Sequence, residues 1–216
     1  MKKAIVFVIA HPDDEMISCG GFLISSAKSE DYDTYCILVT DNYKDKVLSN
    51  YRYNTFSSIM KELNVKYLNL GNTAYSFKHS DLPNLYEELN TLLGFDYTNY
   101  DDVFVITHHP DDFNVDHSEV SKSVTLSFRN IPSSIFYMDT YSVEPIYSFR
   151  QNYQFYFDKE TFDKKIHYIN LYSAINNLYS IVYDRNRILS FDSLNRSNIS
   201  YADKPFTEKF EVYRLI

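Results

Sequence analysis

Two short segments of this 216-residue chain concentrate the side chains that can bind a metal or move a proton. The first is His11-Pro12-Asp13-Asp14-Glu15, one imidazole and three carboxylates in a row of five residues. His11 and Asp14 are three apart, close enough in a turn to hold one metal ion, and Asp13 between them is a spare base. The second is His108-His109-Pro110-Asp111-Asp112-Phe113-Asn114-Val115-Asp116-His117, with three histidines and three aspartates in ten residues. The chain has only 6 histidines, so half of them fall in this one stretch.

Both segments sit where an α/β fold would use them. Ala4 to Ala10 is a continuous apolar run, the signature of a buried parallel strand. Ile17, Phe22, Leu23 and Ala27 then suit one helix face. Further strands are expected at Thr34 to Thr40, Tyr67 to Leu70, Val103 to Thr107 and Ile135 to Met138. Helical spacing recurs at Tyr53, Phe56, Ile59, Met60 and Leu63, at Leu82 to Leu93 with Ser80 as a candidate cap, and at Val120, Val124 and Phe128. This strand-helix alternation predicts a Rossmann-like α/β fold, with a mainly parallel sheet and helices on both faces. Such sheets bind ligands beyond the carboxyl ends of their strands, near a switch point in strand order. Each polar cluster follows a predicted strand and meets that condition. The second half is less regular. A strand is expected at Phe155 to Asp158, a helix through Phe162, Ile166, Ile169, Tyr172 and Ile175, and a last strand at Glu208 to Leu215. Ile181 to Ala202 reads as loops around the mouth of a site. With no repeat and no Pro/Gly linker, residues 1–216 are expected to form a single domain.

Composition narrows the function classes. A net charge of −8 argues against a general nucleic-acid binder, which needs a basic surface. Lys2 and Lys3 precede an apolar run too short for a signal peptide, and no segment nears a membrane span of about 20 apolar residues. Cys19 and Cys36 lie in apolar surroundings and read as buried thiols. A cytoplasmic location is the expectation. The 21 Tyr suit sugar or partner contacts as well as ordinary core use.

Joined by the switch-point rule, the clusters make a site rich in imidazole and carboxylate, the donor set of zinc. A catalytic zinc takes three protein ligands and keeps a fourth position for water. Two neutral His and one Asp would leave the centre positive, able to lower the pKa of water to about 7 and to polarise a carbonyl.

At this point the chain resembles the LmbE-like, or PIG-L, deacetylase family. Ala10 to Glu15 matches the family's first motif, A-H-P-D-D-E, without change. Asp112-x-Asn114-x-Asp116-His117 resembles a variant of its second motif, and Glu208 to Val212 its closing strand. The resemblance implies a Rossmann-like fold and zinc-dependent hydrolysis of an N-acyl group, typically N-acetyl on an amino sugar. It also implies His11, Asp14 and His117 as zinc ligands, with iron(II) fitting the same set. Asp13 would be the general base that passes a proton to the leaving amine. Asp116 would hold His117 by its other ring nitrogen.

The chain departs from the family at informative places. Asn114 stands where a histidine is commoner; it can hydrogen-bond an oxyanion but cannot titrate. Either Asp13 then does all the proton transfer, or His108 or His109 fills the gap beside the substrate. Arg52 lies where the family has R-x-x-E and contacts substrate, but the fourth position here is Thr55. Asn72 and Thr73 replace an expected sugar-binding Asp. Asp112 could orient either His11 or His117, and Glu15 reads as a helix-start residue favouring the dipole. The expected partner is an N-acetylated amino sugar or glycoconjugate, with homo-oligomerisation left open. The rival readings are an amidase on another small N-acyl compound and a catalytically silent metal- or sugar-binding module.

Overall fold

In the computed structural model, residues 2–139, 148–173, 204 and 206–214 are described. Seven strands form one sheet in the order β3-β2-β1-β4-β5-β7-β6. The strands are β1 (Lys3–Ile9), β2 (Tyr32–Asn42), β3 (Lys66–Thr73), β4 (Val103–His108), β5 (Ser134–Met138), β6 (Tyr153–Phe157) and β7 (Phe206–Arg214). The first five pair in parallel, while β7 is antiparallel to both β5 and β6. The α-helices are α1 (Asp14–Lys28), α2 (Lys46–Glu62), α3 (Leu85–Leu93), α4 (Val115–Ser127) and α5 (Lys159–Ser173).

The apolar run of β1 is explained by its central place. Ile5, Phe7 and Ile9 pack with α1, α2 and α5 on one face, and Ala4, Val6, Val8 and Ala10 with α3 and α4 on the other. A strand buried on both faces needs apolar residues at every position rather than at alternate ones. It is also held in register, because a slip by one would mismatch both cores. β1 and β4 are adjacent, and the chain winds outward from them in opposite directions. Their carboxyl ends are therefore the switch point of the sheet. The sequence carries His11–Glu15 immediately after one and His108–His117 at the end of the other.

The predicted elements are present with moved ends. α3 begins at Leu85 and is capped by Asn84, whose side chain accepts from the Tyr86 and Glu87 amides; Ser80 lies in a separate short 3-10 turn, His79–Asp81. Asn84 has the carboxamide geometry that an N-cap needs at the residue before the first turn. Ile175, residues 181–202 and Leu215 lie outside the described residues. Cys19 and Cys36 are buried free thiols, as expected. No described helix is long and apolar enough to cross a membrane.

One contact ties the last strand to the first helix. α1 is kinked at Cys19, which leaves the amides of Gly21 and Phe22 to be paired elsewhere. The buried Glu208 carboxylate of β7 accepts both, at 2.7 and 2.9 Å, and meets Lys165 of α5 at 2.8 Å. A Cβ on Gly21 would lie 2.6 Å from the Phe157 ring, so this approach of α1 to β6 needs glycine.

Candidate active site

The Asp13 turn is strained. Asp13 has φ of 123°, a conformation L-residues rarely adopt, and such a residue costs about 1–3 kcal/mol unless its surroundings impose it. Here they do. The Glu15 carboxylate accepts the Asp13 amide at 2.9 Å and the Tyr172 hydroxyl of α5. Arg52 of α2 donates to the Pro12 carbonyl through Nε (3.1 Å) and Nη2 (2.7 Å), and Nη2 also ion-pairs with the Asp13 carboxylate. Glu15 is fully buried, and burial above all pushes its carboxyl up to about 8, against the lowering effect of its hydrogen bonds. Its part is thus larger than favouring the dipole: it anchors the turn from beneath. Arg52 contacts Asp13 and Pro12, which is a different use from the substrate contact expected of it.

Three donor atoms converge above this turn. His11 Nδ1 lies 3.3 Å from His117 Nε2, and Asp14 Oδ2 lies 3.4 Å from each. Two ligands at about 2.0–2.1 Å from a tetrahedral centre stand roughly 3.3–3.4 Å apart, so the triangle has the edge lengths of a zinc face. The outer nitrogens settle the ring protonation. His11 Nε2 meets Asp116 Oδ2 at 2.8 Å, and His117 Nδ1 meets Asp112 Oδ2 at 2.9 Å. A carboxylate only accepts, so each outer nitrogen carries a proton, and each inner one could present a lone pair to a metal. Two lone pairs and a carboxylate oxygen facing one point need a cation between them. The donor set therefore fits zinc, and His11, Asp14 and His117 are the residues that would hold it.

Burial works against charging His117, but the Asp14 carboxylate beside it and the Asp112 hydrogen bond raise it to about 10. Burial likewise opposes ionisation of Asp14, yet the His117 and His108 rings hold its carboxyl well below the usual range.

The carboxylate pairing corrects one expectation. Asp112, not Asp116, orients His117, while Asp116 reaches across to His11. The reason is helical geometry. Asp116 and His117 are neighbours in the first turn of α4 and point about 100° apart, whereas Asp112 precedes the helix and can fold back over it. Asp116 also accepts the Tyr75 amide, with its oxygens at 3.0 and 2.8 Å, and so pins the Tyr75 turn over the site.

The remaining second-cluster residues have structural positions. Asn114 is the N-cap of α4: its Oδ1 accepts the Asp116 amide at 3.0 Å, and its own amide donates to Asp112. His108 has no exposed surface. Its Nε2 accepts the Ala10 amide at 3.0 Å and its ring stacks on His117 at 3.8 Å; burial, then the nearby His117, lowers it to about 4. His109 is 3% exposed, accepts the Asp111 amide on Nδ1, and packs edge-on against Tyr137. Both rings are thus packed within the fold, behind and beside the donor triangle. A second donor group, His108, Asp112 and His117, also falls within 4.8 Å, but its Asp112 and His117 are already bonded to each other.

Sequence reasoning missed two aromatic residues at the site. The Tyr43 ring lies 6.1 Å from that of His11, with the Arg52 guanidinium 5.0 Å from its centre. The Tyr75 ring is 5.7 Å from His11 and 69% exposed, on a backbone with φ of 61°. Nothing in the local sequence marks either one among 21 tyrosines.

Solved structures share this fold at low identity. An N,N'-diacetylchitobiose deacetylase from Pyrococcus horikoshii aligns with a TM-score of 0.68 and 16% identity, over 97% of this chain and 83% of that one. The 4-carboxy-2-hydroxymuconate hydratase of Pseudomonas putida KT2440 aligns at 0.75 and 15%, over 100% and 98%. A deacetylase of the A40926 pseudoaglycone aligns at 0.64 and 15%, over 98% of each chain. No curated protein matches the sequence. Residues 6–127, over half of the chain, match the family model described as PIG-L, GlcNAc-PI de-N-acetylase. With both motifs converging at the switch point, the chain belongs to the PIG-L family.

Proposed function

We propose that this protein is a zinc-dependent N-deacetylase acting on an N-acetylated amino sugar or glycoconjugate. The observation that carries the reading is the His11–Asp14–His117 donor triangle with the Asp13 carboxylate clamped next to it. Family membership supports hydrolysis of an N-acetyl group, as do neighbours that are themselves named deacetylases. The exposed Tyr75 ring beside His11 supports a sugar, because an aromatic face covers the apolar face of a pyranose while leaving its hydroxyls wet.

When bound, zinc supplies Lewis acidity: it polarises the acyl carbonyl and brings water toward a pKa of about 7. The chain's residues do the rest. Asp13 accepts a proton from the attacking water as its oxygen bonds the carbonyl carbon. The same carboxyl returns that proton to the amide nitrogen as the C–N bond breaks, releasing acetate and a free amine. Arg52 holds the Asp13 carboxylate in place, and the Glu15 anchor keeps the turn from relaxing. General acid-base transfer of this kind is worth about 10²–10⁴-fold.

Asp13→Ala should keep bound zinc at the wild-type stoichiometry and lose about 10²–10⁴-fold in acetate release. Wild-type turnover by that variant sinks the mechanism. A second reading, metal-assisted hydration of an unsaturated acid, is favoured by one observation, the hydratase neighbour at a TM-score of 0.75. Acetate release from N-acetyl amino sugars, against absorbance loss from conjugated dienoic acids, separates the two.

A further inference from the structure

The Tyr43 hydroxyl is buried and has no hydrogen-bond partner among the described residues. Buried polar groups are paired in the great majority of cases, so this exception asks for an explanation. Tyr43 is not loosely placed. It follows β2, whose Thr40 bonds the Ala10 carbonyl through both amide and hydroxyl, so the β2 end is tied to the start of the His11 turn. The Tyr43 amide donates to Ser49 Oγ at 2.7 Å, fixing its main chain to the first turns of α2. Its ring is then held between the His11 imidazole and the Arg52 guanidinium. The charged groups that act on the hydroxyl are Arg52, Asp13 and Asp14, which are the acid-base group, its clamp and a donor of the triangle. A phenol with its ring beside His11 and Arg52 and its hydroxyl dry has every requirement of a hydrogen-bond donor except an acceptor among the described residues.

The site also needs such a donor. As an acyl carbon is attacked, negative charge develops on its oxygen, and fixed donors stabilise that charge in a dry site. The other candidates are committed elsewhere. Among the described residues, Arg52 is bound to Asp13 and Pro12, and His109 is packed against Tyr137 with its Nε2 3.5 Å from Glu211. A phenol also tolerates the neighbouring carboxylates, because it donates a proton without needing to lose it.

We propose that the Tyr43 hydroxyl is a catalytic hydrogen-bond donor to the acyl oxygen of the substrate and to the carboxylate of the acetate product. The turnover part of this proposal rests on the deacetylase reading; the acetate-binding part does not.

Tyr43→Phe removes only the hydroxyl, and three measurements on zinc-loaded protein decide its role. Acetate binding by calorimetry should weaken at least 10-fold; equal affinity in the two proteins, or no acetate binding by wild type, overturns the proposal. The thermal midpoint should stay level or rise, because an unpaired buried group is lost; a fall of several degrees would mark the hydroxyl as structural and overturn it. On an acetylated substrate, kcat/KM should drop about 10²–10³-fold with zinc content unchanged. Wild-type kcat/KM in the variant overturns the donor role while leaving the deacetylase reading intact. If wild type hydrolyses no N-acetyl amine, that reading fails alone, and the acetate titration still decides Tyr43.

Discussion

The two polar clusters have similar compositions and opposite constructions. The His11–Glu15 turn places Asp14 in the donor triangle with Asp13 beside it, and the surrounding fold holds them there. Asp13 sits on a strained backbone, with Glu15 beneath it and Arg52 across it. The His108–His117 segment contributes one donor of the triangle, His117, and spends the rest on support. Asp112 and Asp116 aim the two imidazoles, Asn114 caps the helix that carries His117, and His108 pins the Ala10 amide. The lesson is that clustering of His and Asp marks where a site is, while the backbone decides which of them face it. In an irregular turn every side chain can converge, whereas a helix sends neighbours about 100° apart.

This contrast can be broken at three points, in falling order of effect. Asp112→Ala and Asp116→Ala should each weaken zinc affinity by about 10–100-fold, because each orients one ligand. Histidine ring 15N NMR gives the sharper result: Asp112→Ala should perturb His117, and Asp116→Ala should perturb His11. The reverse assignment would refute the crossed pairing.

The anchor of the first cluster shows itself in pH. Glu15 ionises near 4.5 in the unfolded chain and at about 8 in the folded protein. Between those values the folded state holds the extra proton, so this group's contribution to stability is full below about 4.5 and is lost as pH rises toward 8. Glu15→Gln should therefore flatten the decline of the wild-type unfolding midpoint between pH 5 and pH 8, to which this linkage applies. Parallel profiles for the two proteins would show that Glu15 is not held neutral.

The smallest effect separates cap from catalyst at Asn114. Asn114→Ala should cost about 1 kcal/mol of stability, and Asn114→Ser should cost little, because serine caps nearly as well. Both should keep kcat/KM close to wild type. A hundred-fold loss in the serine variant, with normal unfolding, would return Asn114 to the oxyanion and erase the difference between the clusters.

Much of this was legible from local order. The run Ala4 to Ala10 announced a strand buried on both faces, because only such a strand tolerates apolar residues at every position. Spacing pointed to His11 and Asp14, since a turn fixes its own residues within a few ångströms, while His117 came from the resemblance to the family's second motif. What stayed hidden depended on partners far along the chain. Arg52 pairs with Asp13 from 39 positions away, and Glu15 reads as a helix-start acid until Tyr172 covers it. Tyr43 carried no signal at all, because its significance is a hydroxyl with no partner among the described residues, and a sequence cannot show that a hydroxyl is buried.

Sequence alone therefore determined the strand-helix alternation and the two polar clusters that follow β1 and β4. These follow from periodicity and from short-range backbone geometry. Tertiary structure alone decided which carboxylate aims which histidine, why Asp13 can keep φ of 123°, and that the Tyr43 ring lies beside His11 and Arg52. Those outcomes depend on burial and on distances between elements, and the energies involved arise only when the sheet brings β1, β2 and β4 side by side.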